Sequence, residues 1–125
     1  MVVIAFRVLL VLLVGIALYA GLRSQPFPEP VPHFDWMLHC GVFLAMSALC
    51  TLGFSRPWQL LGIVLLLAFG AGIELWQGWA LPARTASLAD MSADTVGVLL
   101  GWVIGWRLKR FLVAAGYCTS AGARR

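Results

Sequence analysis

The segment LADMSADTVGVLLGWVIGWRL, from Leu88 to Leu108, indicates the fold class most clearly, because it is long and apolar and contains few polar residues. A transmembrane α-helix needs about 20 predominantly apolar residues, and this stretch supplies them. At about 100° per residue, Asp90, Asp94 and three glycines fall within an arc of about 80°. The glycines are Gly97, Gly101 and Gly105. A double GxxxG pattern of this kind predicts close packing against another span of the chain, which we expect to be the third.

The composition of the whole chain agrees with the prediction of a membrane-spanning protein. Hydrophobic residues make up 62% of the 125 residues and charged residues 11%. Soluble domains average about 45–50% hydrophobic residues and about 25% charged residues by similar counts. A soluble domain of this size needs many more polar residues to cover its surface. The composition therefore excludes a soluble enzyme, a disordered chain and a disulfide-stapled secreted module.

Three further apolar runs of spanning length precede this stretch, over about 2–22, 36–54 and 58–79. The sequence thus predicts an all-α integral membrane protein built as a four-transmembrane-helix bundle. Apolar residues precede Arg7, which favours a retained first helix over a signal peptide. Residues 1–112 are assigned to the transmembrane domain, with its motifs in 35–105, and residues 113–125 to a short basic cytoplasmic tail. The proline-alternating segment 25–32 is expected to be extended polyproline II.

The lysines and arginines predict the orientation, because cytoplasmic loops carry an excess of them. Both termini of a four-span chain share a side with the turn at 55–57. That side holds seven of the nine basic residues: Arg7, Arg56, Arg107, Lys109, Arg110, Arg124 and Arg125. The opposite side holds Arg23 and Arg84. Both termini are therefore expected in the cytoplasm, with the chain in the bacterial cytoplasmic (inner) membrane. No basic–aromatic platform is evident, so nucleic acid is not an expected partner.

The remaining polar residues gather at the predicted extracytoplasmic ends of spans two, three and four. Residues three or four apart share a helix face, as Asp35 and His39 do. Ionisable groups inside a membrane are costly and by default mark a functional site. We expect Arg84, as the one base placed beside these acids, to pair with Glu74, Asp90 or Asp94. The predicted polar cluster consists of Asp35, His39, Glu74, Gln77, Arg84, Ser87, Asp90 and Asp94.

These residues at these spacings resemble the VanZ-like family of bacterial membrane proteins. That family pattern combines D-K-x-x-H, E-x-x-Q, an arginine, a serine and D-x-x-x-N-x-x-G-x-x-x-G. The matching blocks are Asp35 to His39, Glu74 to Gln77, Arg84, Ser87, and Asp90 to Gly101. The resemblance covers about residues 22–106. Trp36 stands where the family has Lys and Asp94 where it has Asn, and both departures make the site more acidic.

The resemblance implies a link to resistance against the glycopeptide antibiotic teicoplanin, and it carries over no enzymatic activity. The first hypothesis is a small envelope protein whose polar site binds a cell-wall or lipid-linked component. Its partners would then be the lipid bilayer and a cell-wall precursor or glycopeptide. An alternative is a metal-assisted enzyme acting on a lipid-linked phosphate, with a divalent cation held by Glu74, Asp90, Asp94 or His39.

Two further alternatives are proton transport and a purely structural polar network without a ligand. No cofactor is assigned beyond this candidate divalent cation. The sequence leaves the substrate, the oligomeric state and the question of catalysis open.

Overall fold

The computed structural model describes residues 1–25 and 32–117. The segment predicted to be polyproline II lies almost wholly outside the described residues, as does the end of the basic tail. The described residues form four α-helices: α1 (Val2–Gly21), α2 (Phe34–Gly53), α3 (Arg56–Ala80) and α4 (Leu88–Ala114). All four are long and apolar enough to span a membrane, which confirms the all-α, four-helix prediction. Helix α4 continues to Ala114, slightly past the predicted boundary at residue 112.

The three glycines of α4 form the tightest helix contact, and their partner is α2. A Cβ atom added at any of them would meet backbone atoms of α2. The contacts pair Gly97 with Cys40, Gly101 with Leu44, and Gly105 with Ala48. Because both series advance together along the chain, α2 and α4 run parallel. Ser47 also donates a hydrogen bond to the carbonyl of Val98 at 2.7 Å.

The glycine face is thus confirmed as a packing face, but the expected partner, the third span, is wrong. Helix α2 presents small side chains along the contact, including those of Ser47, Ala48 and Thr51. Small residues on both sides let two backbones approach closely. Helix α3 buries the larger side chains of Leu66 and Ile73 instead. The partner was set by the complementary face on α2, which the glycine spacing in α4 does not reveal.

Basic and amide side chains cap the carbonyl groups at the end of α2. Arg7 donates through Nε to the final carbonyl of α2 at 2.8 Å. Lys109 donates to the carbonyls of Thr51 and Phe54 at 3.0 and 2.6 Å, and Gln59 donates to the same two at 3.0 and 2.8 Å. Cations are favourable at a helix C-terminus, where carbonyls lack helical partners. We call this the basic end of the bundle. Its contacts tie α1, α3 and α4 to α2.

The opposite end, where α1 and α3 finish and α2 and α4 begin, is called the polar end. The bundle as a whole inverts the arrangement of a soluble protein. Glu74 is fully buried, whereas large apolar side chains such as Leu12, Leu65 and Val64 are more than half exposed. An apolar exterior around buried polar groups is consistent with contact with a lipid bilayer.

Candidate functional site

All eight residues of the predicted polar cluster lie at the polar end, on α2, α3, α4 and the loop 81–87. Glu74, Gln77, Asp90 and Asp94 are buried, and Glu74 has no exposed surface at all. The other four are partly buried. The structure thus brings residues that are up to 59 positions apart to one end of one bundle.

His39 is held between α2 and α4 by a buried carboxylate. Its Nδ1 lies 2.9 Å from Oδ1 of Asp94, which is 3% exposed. With the hydrogen on Nδ1, which suits an accepting carboxylate oxygen, the neutral ring keeps a lone pair on Nε2. Nε2 lies 3.7 Å from Oδ1 of Asp35, one helical turn earlier. The prediction that His39 faces the acids of span four is confirmed.

Gly70 of α3 provides the room that the Asp94 side chain needs. A Cβ atom at Gly70 would meet Oδ2 of Asp94 and the ring of Phe43. Asp94 therefore lies where α2, α3 and α4 converge, and its carboxylate is hydrogen-bonded to His39 of α2. This is the position at which the resembled family carries Asn.

Glu74 fastens the loop 81–87 to α3. Its Oε2 accepts a hydrogen bond from the backbone N–H of Ser87 at 2.8 Å. The hydroxyl of Ser87 in turn accepts from the N–H of Asp90 at 3.1 Å and caps α4. The second oxygen of Glu74 and Oδ1 of Asp90 are buried and have no hydrogen-bond partner in the part of the chain that is described. Two acceptors at the polar end are thus left for a proton, a cation or a ligand.

The predicted ion pair of Arg84 with Glu74, Asp90 or Asp94 is wrong. His39 pairs with Asp35 and Asp94, and within residues 1–25 and 32–117 Arg84 forms no ion pair with Glu74, Asp90 or Asp94. The Nε of Arg84 is buried and has no hydrogen-bond partner among the residues that the structure describes. The physical reason lies in the path of the loop 81–87, whose backbone is hydrogen-bonded to Glu74 at Ser87 and does not bring the guanidinium within ion-pair distance of an acid among the described residues. Arg84 instead lines two cavities at the polar end.

Gln77 joins α3 to α1. Its amide donates to the carbonyl of Gly21, the last residue of α1, at 3.0 Å. Gly21 itself lies against Ile73, so that a Cβ atom there would come within 2.8 Å of that side chain. Gln77 therefore positions α1 beside the site, in keeping with the role of polar groups in holding helices together.

Two cavities of different character meet at this end. The first, of about 320 Å³, is polar and is bordered by His33, Ser87 and Asp90. The second, of about 620 Å³, is almost entirely apolar and lies between α1, α2 and α3, with Ala20 and Val42 in its wall. Asp35, Gln77 and Arg84 line both cavities. The arrangement suits a molecule that is polar at one end and apolar at the other.

Three side chains at the polar end are placed to hold a metal ion together. One ligand atom from each of Asp35, His39 and Asp90 lies within 4.8 Å of the others. Two of the predicted metal candidates, His39 and Asp90, belong to this group. Glu74 and Asp94 lie outside it, since they bond to Ser87 and to Nδ1 of His39. Asp35 was not among the metal candidates, although its spacing of four residues from His39 was the available signal.

Sequence reasoning also missed His33, which precedes α2 and borders the polar cavity. Its backbone is left-handed, with φ of 62°, and its ring stacks on Trp36 at 4.2 Å between centroids. Trp36, which stands where the resembled family has Lys, thus forms part of the wall of the polar cavity. No spacing in the sequence indicated this stacking.

Comparison with known proteins adds no homologue to this picture. No protein-family model matches the chain, and neither a curated protein nor a solved structure matches it. The resemblance to the VanZ-like family stays a prediction based on the quoted motifs.

Proposed function

We propose that this chain is a small multi-pass protein of the bacterial cell envelope, of the VanZ-like type, that binds a lipid-linked cell-wall component. The observation that carries the proposal is the junction of a polar and an apolar cavity at Asp35, Gln77 and Arg84. A polyprenyl-diphosphate-linked sugar has the matching chemistry. Its isoprenoid chain would occupy the apolar cavity, and its head group would occupy the polar cavity.

The polar cavity offers both the hydrogen-bond acceptors and the cationic hydrogen-bond donor that such a head group needs. Carboxylates accept hydrogen bonds from sugar hydroxyls, and Asp35 and Asp90 border the cavity. A guanidinium binds diphosphate oxygens in a forked geometry, and Arg84 borders it too. The buried Nε of Arg84 lacks a partner within the described residues, so a ligand would satisfy it.

The apolar cavity offers a route from the bilayer. It lies beside α1, which is broadly exposed along its length, with Ile16 at its rim 63% exposed. A chain could therefore enter sideways from lipid while its head group stays at the membrane surface. We place the polar end on the extracytoplasmic side of the bacterial cytoplasmic membrane, on the basis of the asymmetry of lysine and arginine.

Native mass spectrometry of the purified protein tests the proposal with Arg84→Gln. We expect a one-to-one complex with a polyprenyl-diphosphate-linked sugar, weaker by about tenfold or more in Arg84→Gln, because a hydrogen bond to a charged group contributes about 1.5–3 kcal/mol. The matched control is Arg23→Gln at the same end of the bundle, which should retain binding. Equal binding of phosphatidylglycerol, or equal losses in the two variants, would contradict the proposal.

A second variant tests the apolar cavity separately. Ala20→Phe places a ring in the cavity and should weaken binding of the long-chain ligand while a water-soluble short-chain analogue still binds. Gly15→Phe is the control, since a Cβ atom there meets nothing within 4 Å. Affinities for the two ligands are compared by microscale thermophoresis. The assignment fails if Ala20→Phe leaves binding of the long-chain ligand unchanged.

A further inference from the structure

We infer that Asp35, His39 and Asp90 form a binding site for a divalent transition-metal ion at the polar end, and that Zn²⁺ is the best match. The site shares Asp35 and Asp90 with the polar cavity, but the inference does not depend on the proposed lipid binding. One ligand atom of each side chain lies within 4.8 Å of the other two. A single ion placed among them would be within reach of all three side chains after small rotamer adjustments.

The orientation of His39 is the strongest support. Metal-bound histidines almost always donate their second ring N–H to a carboxylate, a carbonyl or water. Nδ1 of His39 does so to the buried carboxylate of Asp94 at 2.9 Å. That bond fixes the ring and leaves the Nε2 lone pair on the side of Asp35. A metal ion bound at Nε2 would thus complete a carboxylate–histidine–metal arrangement with Asp94 and His39.

A second, independent observation comes from Asp90. Its side chain is 8% exposed, and its Oδ1 has no hydrogen-bond partner among the described residues. An uncompensated buried carboxylate is costly, and a bound cation would remove that cost. Arg84 does not supply the compensation, since it forms no ion pair with any acid of the described ranges.

The ligand set selects the kind of metal. Imidazole nitrogen suits Zn²⁺ and related ions, whereas Mg²⁺ and Ca²⁺ prefer oxygen ligands alone. Three protein ligands leave a fourth tetrahedral position open, as in zinc sites that bind an exchangeable molecule. Asp35 and Asp90 border the polar cavity, so that a head-group oxygen or water could occupy this position.

Isothermal titration of the full-length protein in detergent with ZnCl₂ tests the site. We expect one Zn²⁺ per chain, with binding lost in Asp35→Asn, Asp90→Asn and His39→Gln. Asp94→Asn should keep the three ligands but lower the affinity by about 10–100-fold, as expected for loss of an outer-shell partner. The control is Cys50→Ser, which removes a thiol towards the other end of the bundle and should leave Zn²⁺ binding unchanged.

Two outcomes of this titration would overturn the inference. One is no binding of Zn²⁺ by the unaltered protein, and the other is binding that survives both Asp35→Asn and Asp90→Asn. Circular dichroism and gel filtration establish that each variant is folded.

X-ray absorption spectroscopy of the Zn²⁺-loaded unaltered protein gives a test that needs no variant. We expect one imidazole and a shell of nitrogen and oxygen atoms at about 2.0–2.2 Å. A sulfur shell at about 2.3 Å would assign the ion to cysteines and overturn the proposed site.

Discussion

Gly101→Leu is expected to destabilise the bundle by about 3 kcal/mol or more, at the upper end of the cost of overpacking. A Cβ atom at this position would meet the backbone carbonyl of Leu44 and the side chain of Ser47. Backbone cannot rotate away as a side chain can, so α2 and α4 would have to separate. Separation would also break the hydrogen bond from Ser47 to Val98. The free energy of unfolding in detergent, measured by denaturant titration, checks this expectation.

The controls are the same substitution at glycines with open surroundings. Gly41→Leu on α2 and Gly72→Leu on α3 add a side chain where a Cβ atom meets nothing within 4 Å. Both should leave the free energy of unfolding nearly unchanged. If Gly101→Leu were no more destabilising than these two, the close contact between α2 and α4 would be refuted.

The second prediction concerns the orientation of the chain in the membrane, for which the expected outcome is all or none. Alkaline phosphatase, which is active only outside the cytoplasm, should be inactive when fused to the C-terminus, whereas a fluorescent protein fused there should fluoresce. The reason is the concentration of Arg7, Arg56 and Lys109 at the basic end, against Arg23 and Arg84 at the polar end. Strong phosphatase activity of the C-terminal fusion would reverse the orientation and place the polar cavity in the cytoplasm.

The positions of the four helices could be predicted from the sequence because each depends on a local property. Predicted spans at about 2–22, 36–54 and 58–79 became Val2–Gly21, Phe34–Gly53 and Arg56–Ala80. An apolar run of spanning length is sufficient to define such a helix. The polar end was predictable for the same reason, since helix periodicity places Asp90 and Asp94 on the face of the glycines.

The contacts between helices could not be predicted, because they depend on the rotation and register of two helices at once. Gly97 and Gly101 indicated a close contact without indicating that α2 provides it. The sequence places Arg84 near the acids but cannot show the path of the loop, in which the backbone N–H of Ser87, and not Arg84, contacts Glu74. In the sequence Arg7 bears on the orientation and on the retention of the first helix, whereas its hydrogen bond to the end of α2 depends on how α1 packs against α2.

Photo-crosslinking is the most direct test of the central claim that the two joined cavities bind one lipid-linked molecule. A polyprenyl-diphosphate-linked sugar carrying a diazirine in its isoprenoid chain would be activated on the purified protein, and the labelled peptides mapped by mass spectrometry. We predict labels on the wall of the apolar cavity, at Ala17 and Ala20 of α1 and Val42 of α2, that unlabelled ligand suppresses. Labels confined to the exposed surface of α3 around Val64 and Leu65, and insensitive to competitor, would contradict the account.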